Sequence, residues 1–289
     1  MGIGDLVLIL GLAALWGSTA LLVRIASVDV SAGFITGARM SIAAIAMIGY
    51  SWYRGSLPSI RARPGQYALM GLLNAALPIG LGAFAATRIP VGVAAILFAP
   101  TPLFAAIIAA IWLRERLSPV KVGGILLGLI GVVILIGWVP FEIDGPAALG
   151  IAAALGSCVC YGFSSNLARV GFPGEGSLRL TTGQLIFAAL LSAPVALASL
   201  PDRMPSPATL AILLVFGIVS TAIAYLLFFG LFERIGAVRT QMVALLIPCF
   251  GVIWGAVFRA EPITWNVLVG LVIVLTSLVL VTGFTFKRV

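Results

Sequence analysis

Residues 88–133 read RIPVGVAAILFAPTPLFAAIIAAIWLRERLSPVKVGGILLGLIGVV, and residues 234–279 read RIGAVRTQMVALLIPCFGVIWGAVFRAEPITWNVLVGLVIVLTSLV. Set at a constant offset of 146, Arg88-Ile89 meets Arg234-Ile235, Pro102 meets Pro248, Phe104 meets Phe250, Glu115 meets Glu261, Gly124 meets Gly270 and Val133 meets Val279. The register reaches back to Gly71, which meets Gly217. Apolar helices match in Leu and Ala by chance, so the weight rests on the Pro, Glu and Gly matches that share one register. An offset of 139 aligns the earlier part, pairing Leu10-Gly11 with Leu149-Gly150 and Gly17-Ser18 with Gly156-Ser157. The second half repeats the first.

What each half contains follows from composition. The 289 residues are 62% hydrophobic and only 9% charged, with a mean hydropathy of +1.21, whereas soluble domains carry roughly a quarter charged residues. A bilayer core of about 30 Å takes roughly 20 apolar residues per helix. Runs of that length fall at 5–26, 31–53, 65–86, 91–113, 119–138, 146–168, 178–199, 207–230, 237–258 and 263–286. The expected fold is an all-α integral membrane protein of ten transmembrane helices. It divides into a first five-helix repeat at 1–138, a linker at 139–145 and a second repeat at 146–289. Connections this short leave no room between spans for a soluble catalytic domain.

Five is odd, so the second repeat enters the membrane from the side opposite to the first. Inverted repeats of this kind give alternating access around a site near the midplane. Charge supplies the orientation. Arg54, Arg61, Arg63, Arg114, Arg116, Lys121, Arg169, Arg179, Arg234, Arg239, Lys287 and Arg288 fall on one side and Arg24, Arg88, Arg203 and Arg259 on the other, twelve against four, which places both termini in the cytoplasm. Glu142 and Asp144 in the outer linker agree. A net charge of +8 is thus accounted for without nucleic acid. The first run starts at Asp5 with no Lys or Arg before it, unlike a cleavable signal peptide, and is expected to be a true span. Cys158, Cys160 and Cys249 sit in apolar runs as small packing residues, with no metal or disulfide pattern.

Ala14-Leu15-Trp16-Gly17-Ser18-Thr19, Arg39, and Leu113-Arg114-Glu115-Arg116-Leu117-Ser118 followed by Gly124, Gly128 and Gly131 form an ordered set, echoed by Arg259-Ala260-Glu261-Pro262-Ile263-Thr264 and Gly270. Over essentially the whole chain this resembles the EamA family of the drug/metabolite transporter superfamily, and within it the bacterial amino-acid exporters, including those for aromatic amino acids. The resemblance implies helices one to four and six to nine around a central cavity, helices five and ten at the periphery, and export of small metabolites. Leu155 stands where the first repeat has Trp16, and Ala224 where it has Pro78, so the halves have diverged at expected cavity positions.

Arg39 is the one basic residue away from the ends of a span, and its charge costs about 2.5–3.5 kcal/mol there unless something compensates. All nine acidic residues lie at span ends or in loops. Arg39 either holds an anionic group of the cargo, such as a carboxylate, or snorkels and binds helix carbonyls. With no His and no embedded acid to carry a coupling ion, a facilitator is expected. No Gly-Lys pair occurs, so no phosphate loop for ATP is present. Trp16, Thr19, Asn74, Tyr161, Gln184, Tyr225, Gln241 and Trp254 complete the candidate substrate site around Arg39, a set suited to a small zwitterion with an apolar side chain. Each alone reads more often as helix packing. Pro78, Pro102 and Pro248 are hinge candidates because each removes a backbone donor. Glu115 and Glu261 read as interfacial caps or ion pairs, or as gate locks.

The expected function is export by alternating access without ATP hydrolysis, in the bacterial inner membrane, by a monomer with no cofactor and the lipid bilayer and a small-molecule substrate as its partners. Drugs, purines and quaternary cations stay open as alternative cargo. A pore, or an intramembrane enzyme acting on lipid, is the alternative class, though no His is present to serve a nucleophile or a metal.

Overall fold

The computed structural model describes residues 3–137, 144–235, 240 and 242–282, and every described element is helical or a turn. Seven helices are long and apolar enough to cross a membrane: α1 (Ile3–Ala26), α2 (Ala32–Tyr53), α3 (Pro64–Ala86), α4 (Val91–Trp112), α6 (Gly145–Gly171), α7 (Ser177–Leu197) and α8 (Pro207–Ile235). Between and after them lie the apolar helices α5 (Pro119–Gly137), α9 (Met242–Arg259) and α10 (Trp265–Thr282), whose described apolar stretches are shorter. Helix starts carry the chemistry that unsatisfied N–H groups need. Ser31, Asp144 and Ser206 accept from the backbone of Phe34, Ala147 and Thr209, opening α2, α6 and α8. The turns after α4 and α9 share a left-handed residue at the same place in each half, Arg114 at φ 55° and Ala260 at φ 52°.

Contacts at the helix ends fall into two sets. On one side, here the linker side, Arg24 at the end of α1 donates to Ile89 O, and Asp29 accepts from Ser206 N and Thr209 Oγ1 at the start of α8. On the other, the terminal side, Asp5 at the start of α1 pairs with Arg234 at the end of α8, Tyr67 donates to Glu175, and Arg169 at the end of α6 pairs with Glu115. Helix α1 therefore starts on the terminal side and α6 on the linker side.

Packing follows the small residues. A Cβ on Gly37 of α2 would overlap Ala196 of α7, and one on Gly251 of α9 would overlap Ala95 of α4. Gly128 and Gly131 of α5 lie against Ser277 and Ile273 of α10. Close backbone approach of this kind substitutes for the hydrophobic drive that lipid removes. These four glycines are thus used in packing inside the chain. Ile45, Ile111 and Val272, all more than half exposed, show the apolar outer surface that hydrocarbon requires.

Candidate functional site

Two helices lose their regular register at the same place in each half. In α3 the turn Leu72–Ala76 is π-helical, and in α8 the turn Val215–Ile223 is. The offset of 146 superimposes them, bringing Asn74 onto Ser220. The wide turns have one consequence in common: each releases a backbone carbonyl from the helix ladder. In α3 the residue four beyond Asn74 is Pro78, which has no N–H to give, and Asn74 O accepts from the Tyr225 hydroxyl at 2.8 Å instead. In α8 the N–H of Ala224 bonds to Val219 O and Thr221 O and passes over Ser220 O. Ser220 O accepts from Trp16 Nε1 at 3.0 Å and from Arg39 Nη2 at 3.3 Å. Each half therefore supplies a freed carbonyl to a side chain of the other.

Arg39 is only 4% exposed. Its Nε donates to Thr221 Oγ1 at 2.6 Å, and its guanidinium carbon lies 5.0 Å from the centre of the Phe216 ring. Thr221 in turn donates to Phe216 O, which fixes its oxygen toward Arg39. Among the described residues no carboxylate forms an ion pair with Arg39, and its Nη1 makes no hydrogen bond. Arg39 does bind a helix carbonyl, as the second sequence reading expected, yet its charge is left without a counter-ion. The Tyr161 and Tyr225 side chains lie near one another and near Arg39.

Beside this centre, Asn74 Nδ2 donates to Gln184 Oε1 at 2.8 Å and Ser164 Oγ donates to Asn74 Oδ1 at 2.9 Å, joining α3, α6 and α7. Gln184 Nε2, Thr181 Oγ1 and Ser220 Oγ are buried without a partner. Trp16 packs edge-on against Tyr225 at 5.9 Å.

The structure thus brings Trp16, Arg39, Asn74, Tyr161, Gln184 and Tyr225 into one connected group. Trp254 stands apart from it, donating to Ala14 O at 3.0 Å and stacking on Phe250. Thr19 is half-buried just past the turn at Ser18 and joins none of these hydrogen bonds. Gln241 lies outside the described residues. Ser164, Phe216, Ser220 and Thr221 complete the group and were not singled out in the sequence. The signal for Ser220 was present, since it is the repeat mate of Asn74.

Of the proline positions, Pro78 sits at the end of the π turn and its carbonyl accepts from Ser157 Oγ of α6 at 2.9 Å. Helix α4 breaks at Ala99-Pro100, just before Pro102, while α9 stays helical through Pro248. The difference tracks Pro100, whose mate is Leu246.

The EamA-like transporter family model matches the chain twice, over residues 3–137 and 148–283. An uncharacterized transporter of Bacillus subtilis (strain 168), YoaV, is 22% identical over 283 residues, covering 97% of both chains. Another from that organism, YvbV, is 26% identical over 221 residues, covering 74% of this chain and 70% of that one. An uncharacterized transporter of Archaeoglobus fulgidus is 27% identical over 194 residues, covering 66% of this chain and 67% of its own. A solved structure described as "Crystal structure of protein" superposes with a TM-score of 0.70 at 20% identity, covering 96% of this chain and 98% of that one, which shows a shared fold. With a two-repeat helical bundle and a family match over nearly its whole length, the chain belongs to the EamA-like transporter family.

Proposed function

We propose that this transporter spans the inner membrane of a bacterium ten times, with both termini in the cytoplasm, and exports small amino-acid-like metabolites by alternating access between two inverted repeats. The observation that carries the reading is Arg39, a buried guanidinium with unused N–H groups and no carboxylate partner among the described residues. A charge so placed is stabilised by an anionic group of the cargo, and a carboxylate matches the planar fork. The Trp16 ring, which packs against Tyr225 and Phe228, suits an apolar side chain. Quaternary cations fit less well, because Arg39 repels them and no embedded acid offsets it. With no ionisable acid in the centre, the carrier works as a facilitator and a monomer.

Counterflow in proteoliposomes tests this. Loaded with one amino acid, vesicles should take up a labelled one from outside faster than empty vesicles, and a pore would show no such acceleration. Arg39→Ala should remove uptake of carboxylate cargo while Arg39→Lys retains part of it. Normal uptake by Arg39→Ala would overturn the anion assignment.

A further inference from the structure

The two repeats offer an internal control, because each contact at one side of the bundle has a mate at the other. Some mates are alike. Asp29 in the α1–α2 turn binds the start of α8, and Glu175 in the α6–α7 turn binds Tyr67 at the start of α3. Others differ. Gly150 of α6 is buried, with a Cβ position 3.0 Å from Arg88 Cβ and 3.2 Å from Ile89 Cγ2, so α6 lies tight on the end of α3. Its mate Gly11 of α1 is exposed, with nothing among the described residues within 4 Å of its Cβ position. Ser157 Oγ of α6 reaches Pro78 O of α3, whereas its mate Ser18 bonds within its own helix to Leu15 O. At these two positions α6 lies closer to α3 than α1 does to its own neighbour, although Asp5 of α1 still pairs with Arg234 on the terminal side.

Glu115 and Glu261 differ in the same sense. Their backbones are alike, each N–H reaching six residues back, Glu115 to Ala109 O and Glu261 to Gly255 O. Their carboxylates are not. Glu261 accepts from Val91 N at 2.8 Å and from Gly92 N at 2.9 Å, so that the α9–α10 turn of one repeat caps α4 of the other. The cap has a fitted seat: a Cβ on Gly255 would stand 2.6 Å from Glu261 Oε2. Glu115 instead holds Arg169 of α6 at 2.5 Å, with both side chains about half exposed. The glycines of the seat have mates in Ala109 and Val238, the latter outside the described residues, so neither matching position carries a glycine.

We propose that the Glu261 carboxylate is a latch that holds the two repeats together on the linker side, and that the linker side opens when Val91 N–H and Gly92 N–H are released. Two charge-assisted hydrogen bonds at the positive end of a helix give the latch its strength. Because it joins the repeats by a single side chain, it is undone without breaking the bundle. It does not depend on which cargo Arg39 takes.

The test uses pulsed dipolar EPR on the full chain in lipid, with Cys158, Cys160 and Cys249 replaced by Ala and spin labels at Thr87 and Trp265, on the α3–α4 turn and at the start of α10. In Glu261→Gln, the amide oxygen serves one N–H and the amide NH2 opposes the other. The label distance should lengthen and its distribution broaden, and Glu115→Gln should leave both unchanged. Should Glu261→Gln fail to fold, Gly255→Ala unseats the carboxylate sterically and should shift the distance in the same direction. Gly92→Ala, whose Cβ position is 3.5 Å from Glu261 Oε2, is the control that should not. A wild-type distance in both latch variants, or an equal shift in Glu115→Gln, overturns the proposal.

Discussion

Gly150 and Gly11 hold the same place in the two halves, yet one is wedged against Arg88 and the other has no described residue within 4 Å of its Cβ position. The same building unit is packed in two ways within one molecule. Contacts repeated in both halves, such as Asp29 with the start of α8 and Glu175 with the start of α3, mark what travels as a body. Contacts that differ mark the seams where one body moves against another. A bundle of two identical packings would be symmetric and shut or open at both ends; the difference gives it a direction.

The strongest way to break the comparison is to fill both glycines. Gly150→Ala drives a methyl into Arg88 and Ile89, and overpacking of this kind costs about 1–3 kcal/mol. Gly11→Ala meets nothing and should change stability by less than about 0.5 kcal/mol. Thermal unfolding in detergent, monitored by tryptophan fluorescence, reads the pair. Equal losses in the two variants would mean that α1 is packed as tightly as α6.

The freed carbonyls sharpen it next. Asn74 O accepts from one described side chain, Tyr225, whereas Ser220 O accepts from two, Trp16 and Arg39. Tyr225→Phe leaves a buried acceptor without a partner, at a cost of about 1–3 kcal/mol. Ser220→Ala, which removes a hydroxyl that is buried and unpartnered, should cost less than Tyr225→Phe, since it takes away no hydrogen bond. Thermal unfolding of both variants checks the order, and the reverse order would mean that Asn74 O finds another donor.

How much of this could be read beforehand varies with the physical signal. The apolar runs and the 146-residue offset were legible because membrane thickness fixes span length and duplication preserves turn residues. Arg39 stood out because a charge in an apolar run is costly. Its partners did not, since Ser220 and Thr221 look like ordinary packing residues in a helix. The π turn of α3 was signalled by Pro78, but that of α8 has Ala224 at the matching place and no mark at all. The left-handed turn residues were hidden too, because Arg114 and Ala260 occupy positions where glycine would have been the cue. How tightly each half is packed at Gly11 and Gly150 was not legible, since it depends on how two nearly equal units are docked and both dockings use one sequence.

Glu115 and Arg169 give a smaller effect. Both are about half exposed, and a pair of that kind contributes roughly 0.2–1 kcal/mol. Glu115→Gln should therefore shift the melting temperature slightly, and less at high salt, because screening already weakens exposed pairs. A loss as large as that of Gly150→Ala would show that the pair is a latch on its own side.

The smallest effect concerns Asp29. Hydrogen bonds from Ser206 and Thr209 hold its carboxyl below the ordinary carboxylate value. A group whose folded value is depressed adds stability above its unfolded value and loses it as pH falls through the folded one. Asp29→Asn should therefore be slightly less stable than the wild type at neutral pH, and the gap should close as pH drops below the ordinary Asp value of about 3.9. Asp29 is exposed, so the gap is small, and it should not depend on which side of the bundle is open. If Glu261→Gln changed the pH at which that gap closes, the clamp at the start of α8 would be part of the moving seam and not of the body that carries it.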